Sequence, residues 1–168
     1  MLEVTLDEVR QIEGIHVGFT GTRDGMTNEQ IVNVARKLEE FKDFYIHDNL
    51  RKGALCFHHG DCMGADFQAH GIARNLHYNV IIHPPENDKA RQFCVGDMIL
   101  PELPYIKRNH NIVEMSKYMI GTPKEDIEQL HGGTWATIRY ARKNEIFASK
   151  SEYNELFIVL PAGQVIFG

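Results

Sequence analysis

The chain has 168 residues, 43% of them hydrophobic, and a formal net charge of −5 with histidine neutral, which suits one globular domain over residues 1–168. The acidic balance argues against nucleic acid as a partner, because non-specific binding to DNA or RNA needs a broad basic surface. Three cysteines without compact spacing, no bilayer-length apolar run and no secretory pattern predict a cytoplasmic protein with no membrane partner.

The first predicted strand ends at a glycine junction. Residues 1–11 are predicted as an N-terminal arm or a short helical turn, and residues 12–20 as an apolar strand. Glycine at the strand end lets backbone N–H groups approach an anion, and an arginine can bind a phosphate bidentately. The candidate ligand-binding residues are Thr20, Gly21, Thr22 and Arg23, with a plain tight turn as the alternative.

A second glycine junction follows the next strand. A helix beginning at Thr27 is predicted from its capping box with Gln30, and is followed by a strand over 54–59 and a helix over 64–76. Gly60 and Gly64 are predicted to form a ligand turn between the last two. Asp66 would serve the helix dipole or orient loop amides, or else accept a ribose hydroxyl.

The histidines before this junction suggest a metal site by composition alone. His58, His59, Asp61 and Cys62 lie within five positions. Adjacent strand residues point to opposite faces, so His58 and His59 are poorly placed to share a tetrahedral ion. We therefore predict no metal.

The third predicted strand, residues 79–83, ends at His83, which would contact a base or fill the strand end. Residues 86–105 are irregular, and a loop of that length is usually functional or mobile. A helix is predicted over 108–115, where Arg108 and Asn109 would reach a cleft. Two aromatic residues are candidates either for base stacking or for the core: Tyr105 and Trp135.

The third glycine junction is the most informative. An apolar strand over 118–121 precedes Gly132, Gly133 and Thr134, which open an amphipathic helix. A glycine-bearing helix start offers unpaired N–H donors and a partial positive charge, which suits a phosphate. The remaining predicted elements are a strand over 156–160 and a short edge strand over 165–167.

Strands alternate with helices throughout, which predicts a doubly wound α/β fold with a mostly parallel five-stranded sheet and helices on both faces. Such sheets bind ligands at the carboxyl ends of their strands, where the strand order reverses. All three glycine junctions follow strand ends, so we expect them to share one pocket.

Four motifs in this order resemble the SLOG superfamily of DprA-like and LOG-like Rossmann proteins, especially its small stand-alone YspA-like members. The resemblance implies a Rossmann-like sheet, a cleft for a nucleotide or nucleotide-derived ligand, and a homodimer or higher homo-oligomer. It rests on Gly21-Thr22-Arg23, Gly60 with Gly64-Ala65-Asp66, Arg108-Asn109 and Gly133-Thr134.

The chain departs from LOG-like enzymes at the catalytic acid. Those enzymes release a base from a nucleoside monophosphate and carry a glutamate in the motif P-G-G-x-G-T-x-x-E. Here Thr137 or Ile138 stands near that position, and residues 135–139 contain no carboxylate. The resemblance therefore implies phosphate binding more strongly than catalysis.

These patterns predict a protein that binds a nucleotide-type ligand for sensing or sequestration, without a cofactor. One alternative is a hydrolase of an N-glycosidic bond, in which Asp66 or Asp61 would stabilise the positive charge that develops on the ribose. Whether the protein is an enzyme is left open. The least favoured alternative is a DprA-like binder of single-stranded DNA.

Overall fold

A computed structural model describes residues 1–47, 53–144, 147 and 154–168. Its strands are β1 (Leu2–Glu3), β2 (Gly14–Gly21), β3 (Ala54–His59), β4 (Asn79–Ile82), β5 (Met98–Ile99), β6 (Tyr118–Thr122), β7 (Glu155–Val159) and β8 (Val165–Phe167). Its helices are α1 (Leu6–Arg10), α2 (Asn28–His47), α3 (Ala65–Asn75), α4 (Tyr105–Met115) and α5 (Gly133–Lys143), with a 3₁₀ turn at Asp88–Ala90.

The strands form one sheet in the order β1-β5-β4-β3-β2-β6-β7-β8, parallel except for β8. The predicted α/β fold class is confirmed. Within the described ranges the sheet has eight strands rather than the predicted five. The three additional strands are the predicted edge strand β8 and the two-residue strands β1 and β5. Strands of two residues are too short to show the alternation of apolar and polar residues by which a strand is predicted. The predicted N-terminal arm is β1 followed by the capped helix α1.

Successive side chains of each strand point to opposite faces of the sheet, and hydrophobic side chains form a core on each face. Val17 and Phe19 of β2 pack in the core that α2 and α3 cover. On the opposite face, Met119 of β6 packs against Trp135 and Ile138 of α5. Helix α1 covers the same face nearer the β1 edge, in a smaller cluster with residues of β3 and β4. No helix in the described segments is both long and apolar enough to cross a membrane.

The strand order reverses at β2, which lies between β3 and β6. Gly21 at the end of β2 is paired with Thr122 at the end of β6. The N–H of Thr22 then donates to the carbonyl of Thr122 at 3.2 Å. The crevice outside these two strand ends is where doubly wound sheets bind ligands.

The predicted capping box at the start of α2 is present. The N–H of Gln30 donates to Thr27 Oγ1 at 3.1 Å, and the N–H of Thr27 donates to Gln30 Oε1 at 3.0 Å. Gln30 is only 1% exposed, and its Nε2 donates to the carbonyls of Pro123 and Val159 at 2.8 Å each. This one side chain therefore ties α2 to the chain segments that leave β6 and β7.

Replacing Gln30 by alanine should lower the free energy of unfolding by about 2–4 kcal/mol, because the change removes a cap and leaves buried carbonyls unpaired. Urea unfolding measures the loss. Glu39→Gln, at an exposed position of the same helix, should change the value by less than about 0.5 kcal/mol. Equal effects of the two changes would contradict the role given to Gln30.

Candidate functional site

A cavity of about 510 Å³ opens at the crevice between the ends of β2 and β6. All three glycine-bearing segments contribute to its walls, together with the first turn of α4. The predicted residues that line it are Thr20, Gly21, Thr22, Arg23, Asp66, Arg108, Asn109, Gly132, Gly133 and Thr134, together with the two aromatic candidates Tyr105 and Trp135. Sequence reasoning missed Asp24, Cys62 and His131, which lie beside or within the glycine junctions, and Lys124 and Glu125, which follow the end of β6.

Two predicted glycines shape this cavity from outside its lining. A Cβ added at Gly60 would overlap the guanidinium of Arg108, so Gly60 leaves the room in which that side chain lies. Gly64 has φ of +83° and lies against the backbone of Arg23, where a side chain would clash with the Arg23 carbonyl. The N–H of Ala65 then donates to the Thr22 carbonyl at 3.0 Å, which joins α3 to the loop after β2.

Asp66 holds the loop between β3 and α3. It is 4% exposed, and its Oδ2 accepts the N–H groups of Gly60 and Cys62 at 3.1 Å each. Burial raises the pKa of Asp66 to about 6, while the nearby Arg108 guanidinium opposes that shift. These bonds are the predicted contacts with loop amides, and contact with a ribose hydroxyl stays a prediction.

Arg108 lies at the base of the cavity and is 5% exposed. Its Nη2 donates to Cys62 Sγ at 3.2 Å, and its Cζ lies 5.4 Å from the centroid of the Tyr105 ring. Its Nε is buried and has no hydrogen-bond partner in the part of the chain that the structure describes. A buried guanidinium nitrogen left unpaired is costly, and a phosphate or carboxylate oxygen is its natural partner.

The start of α5 presents backbone to the same cavity. Gly132 has φ of +102°, no side chain caps the helix, and its first turn contains no acidic residue. A Cβ at Gly132 or Gly133 would meet no described atom within 4 Å, so open space lies beside these amides. The N-terminal amides and the helix dipole favour an anion there.

Asn109 supports this helix start from α4. Its Nδ2 donates to Thr137 Oγ1 at 2.7 Å, and Thr137 Oγ1 donates to the carbonyl of Gly133 at 2.8 Å. Thr137 stands near the position of the LOG-like acid and is occupied by these bonds, while Ile138 lies in the core. The structure therefore places no carboxylate at this point on α5.

The outer wall combines charged and aromatic groups. Arg23 Cζ lies 5.0 Å from the Tyr105 centroid, so two arginines of the cavity contact one ring. Across the opening, Lys124 Nζ pairs with Asp24 Oδ2 at 2.6 Å. Trp135 packs in the core and also lines the cavity, and its Nε1 donates to Glu125 at 3.2 Å, so a stacking role for its ring stays a prediction.

His83 belongs to a row of buried histidines rather than to the cavity lining. His58 bonds to His16 at 2.8 Å and to His83 at 2.9 Å, while His16 Nε2 donates to the Ile12 carbonyl at 2.9 Å. A carbonyl only accepts, so His16 Nδ1 accepts from His58, and His58 Nδ1 accepts from His83. Burial lowers the pKa of all three rings. The row joins distant positions on different elements, so no local pattern predicts it.

His59 points to the other face, where His59, His70 and Cys94 have donor atoms within 4.8 Å of one another. The N–H of Asp61 donates to His59 Nδ1 at 3.1 Å, so the proton of His59 is on Nε2. That proton points at His70 Nδ1, 3.0 Å away. The ring nitrogens thus satisfy each other, which favours a structural pair over a metal site.

The carboxylate of Asp61 binds the loop that follows the 3₁₀ turn. Its carboxylate accepts from Arg91 Nε at 2.7 Å and from the N–H of Cys94 at 2.8 Å. It is fully buried and does not line the cavity. Of the two acids named for hydrolysis, only Asp66 lies at the site.

No family model and no curated protein sequence matches the chain. Solved structures do match its fold. DprA from Streptococcus pneumoniae has a TM-score of 0.56 and 16% identity, over 90% of this chain and 51% of that one. The molybdenum cofactor carrier protein from Chlamydomonas reinhardtii has a TM-score of 0.54 and 18% identity, over 88% and 76%. The protein TM1055 has a TM-score of 0.52 and 11% identity, over 76% and 68%.

The chain thus spans about half the length of the DprA structure. At these identities the similarity concerns the fold. Together with the strand order, it confirms the fold predicted from the four motifs. The chain has the Rossmann-like fold that these three structures share.

Proposed function

We propose that the protein binds a nucleotide or nucleotide-derived ligand in the cavity at the ends of β2 and β6, for sensing or sequestration. The observation that carries the proposal is a cavity lined both by Arg108, which has an unpaired Nε and forms no ion pair with a carboxylate among the described residues, and by the uncapped start of α5. Both features are completed by an anion. A volume of about 510 Å³ is in the range of small-ligand sites.

The name of one structural neighbour is consistent with binding without chemistry. The Chlamydomonas protein is a cofactor carrier. In this chain Thr137 or Ile138 stands near the position of the LOG-like acid; Thr137 bonds to Gly133 and Asn109, and Ile138 packs in the core. Sequestration needs no catalytic acid, so binding accounts for the site with fewer assumptions than hydrolysis.

A thermal-shift experiment with nucleoside mono- and diphosphates, NAD and ADP-ribose tests the proposal. A ligand specific to the folded state raises the melting temperature by mass action. We expect at least one nucleotide to raise it in wild-type protein and to raise it less in Arg108→Gln at the same concentration. No shift with any compound, and no small molecule released from the heat-denatured protein on mass spectrometry, would contradict the proposal.

Chromatography of the same mixtures tests hydrolysis. Release of free base or sugar phosphate that is lost on Asp66→Asn would establish the hydrolase alternative. A complex with single-stranded DNA that dissociates steeply with salt would instead favour the DprA-like alternative.

We also propose that the protein is cytoplasmic and that it self-associates. All three cysteines are buried free thiols, as expected for a reducing compartment. Phe167 of the edge strand β8 is 71% exposed, which gives a second copy an apolar contact. Light scattering after size exclusion should give a dimer or larger mass for wild type and a smaller mass for Phe167→Lys.

A further inference from the structure

We infer that the cavity binds two adjacent anionic groups, so that its ligand is a diphosphate, such as a nucleoside diphosphate or a molecule with a pyrophosphate link, rather than a monophosphate. This inference rests on the proposed function and adds the chemical class of the ligand. It follows from how the two arginines of the cavity are arranged.

Arg108 and the start of α5 make an inner anion site. Arg108 is buried, its Nε is unpaired, and its guanidinium lies near the thiol of Cys62, the ring of Tyr105 and the buried carboxyl group of Asp66. The amides at the start of α5 face open space in the same cavity. One phosphoryl group can satisfy the guanidinium and the helix start together.

Arg23 makes an outer site against the same tyrosine. No carboxylate of the described residues lies within ion-pair distance of Arg23, and the neighbouring Asp24 is paired with Lys124. The two guanidinium carbons lie 5.0 and 5.4 Å from one ring centroid, so they are at most about 10 Å apart. Two linked phosphoryl groups, each bonded to one guanidinium through N–H···O bonds of about 2.8 Å, can bridge that span.

The test measures binding of inorganic phosphate and inorganic pyrophosphate by calorimetry, without divalent cations. Wild type should bind pyrophosphate at least about tenfold more tightly than phosphate, the value of one charge-assisted contact. Arg23→Gln should remove that preference while changing phosphate affinity less than about twofold, since the inner site remains. Arg108→Gln should weaken both anions about tenfold or more.

Arg36→Gln is the matched control, because it removes one positive charge from an exposed ion pair on α2. Arg36→Gln should alter neither the phosphate affinity nor the pyrophosphate affinity. Arg23 is exposed, so circular dichroism should show that its variant keeps the fold.

Equal affinity of wild type for the two anions would overturn the inference, and so would equal weakening of both by Arg23→Gln. The latter result means that both arginines bind one phosphate. Adenosine and guanosine mono- and diphosphates separate the two proposals. If the monophosphates bind as tightly as the diphosphates, only the diphosphate inference fails. If no nucleotide and neither anion binds, the proposed function fails as well.

Discussion

Gly60→Ala is expected to weaken nucleotide or pyrophosphate binding about tenfold or more, as Arg108→Gln does, because both changes remove the Arg108 guanidinium from the anion site that we propose. A methyl group at this position would occupy the space of the guanidinium, so Arg108 would have to leave its place at the base of the cavity. Titration calorimetry with pyrophosphate measures the loss. The added methyl should cost only about 1–3 kcal/mol in the free energy of unfolding.

Gly71→Ala is the matched control, because a Cβ at Gly71 of α3 would meet no described atom within 4 Å. It should leave binding unchanged and stabilise the helix by about 0.5–1 kcal/mol. Unchanged pyrophosphate binding by folded Gly60→Ala would show that the position of Arg108 does not determine affinity.

The second large effect concerns acid stability. Burial holds the pKa values of His16, His58, His59 and His83 below normal, that of His83 at about 3. Below pH 6.5 the unfolded chain takes up protons that the folded chain excludes, so stability falls as the pH falls. Each histidine that stays neutral contributes up to about 1.4 kcal/mol per pH unit. We expect a loss of several kcal/mol between pH 7 and pH 5.

Asp66 acts in the opposite direction. Its pKa is raised to about 6, so the folded state binds its proton more tightly, and stability falls as the pH rises from about 3.8 to 6. The contribution of this one carboxyl group to the pH dependence of stability offsets that of about one buried histidine. The net loss on acidification therefore remains.

Urea unfolding between pH 7 and pH 5 measures this loss. His58→Asn should reduce the slope of the free energy of unfolding against pH by the equivalent of about one bound proton. This holds whatever stability the substitution loses at pH 7. His77→Asn is the control: His77 is exposed and has φ of +64°, which asparagine tolerates. A flat profile, or the same slope in His58→Asn as in wild type, would contradict the role of the buried rings.

Local patterns predicted the parts of the fold that depend on local physics. The apolar run over 54–59 coincides with β3, and the capping box of Thr27 is formed by the hydrogen bonds that it predicts. The three glycine junctions meet because the carboxyl ends of parallel strands lie at one edge of the sheet. The same patterns gave no sign of β1 and β5, whose pairing depends on a neighbouring strand already being in place.

Local sequence patterns likewise predicted only part of the candidate site. Residues within the glycine junctions line the cavity, because glycine marks where backbone comes close to another group. The bonds of Asp66 to the amides of its own loop are local, whereas the packing of Trp135 in the core depends on residues of other elements. Gly60 lies beneath Arg108 for the same reason, and only the packed structure reveals that relation.

The histidine row has a direction that one backbone carbonyl imposes. Because Ile12 can only accept, every ring in the row donates from Nε2 toward it. Reversing one ring alone would set two donors or two lone pairs against each other, and reversing all three would set a lone pair of His16 against the Ile12 carbonyl oxygen, so the neutral row has one proton arrangement. One backbone carbonyl after α1 therefore fixes which nitrogen carries the proton in a ring as far along the chain as His83, just beyond β4.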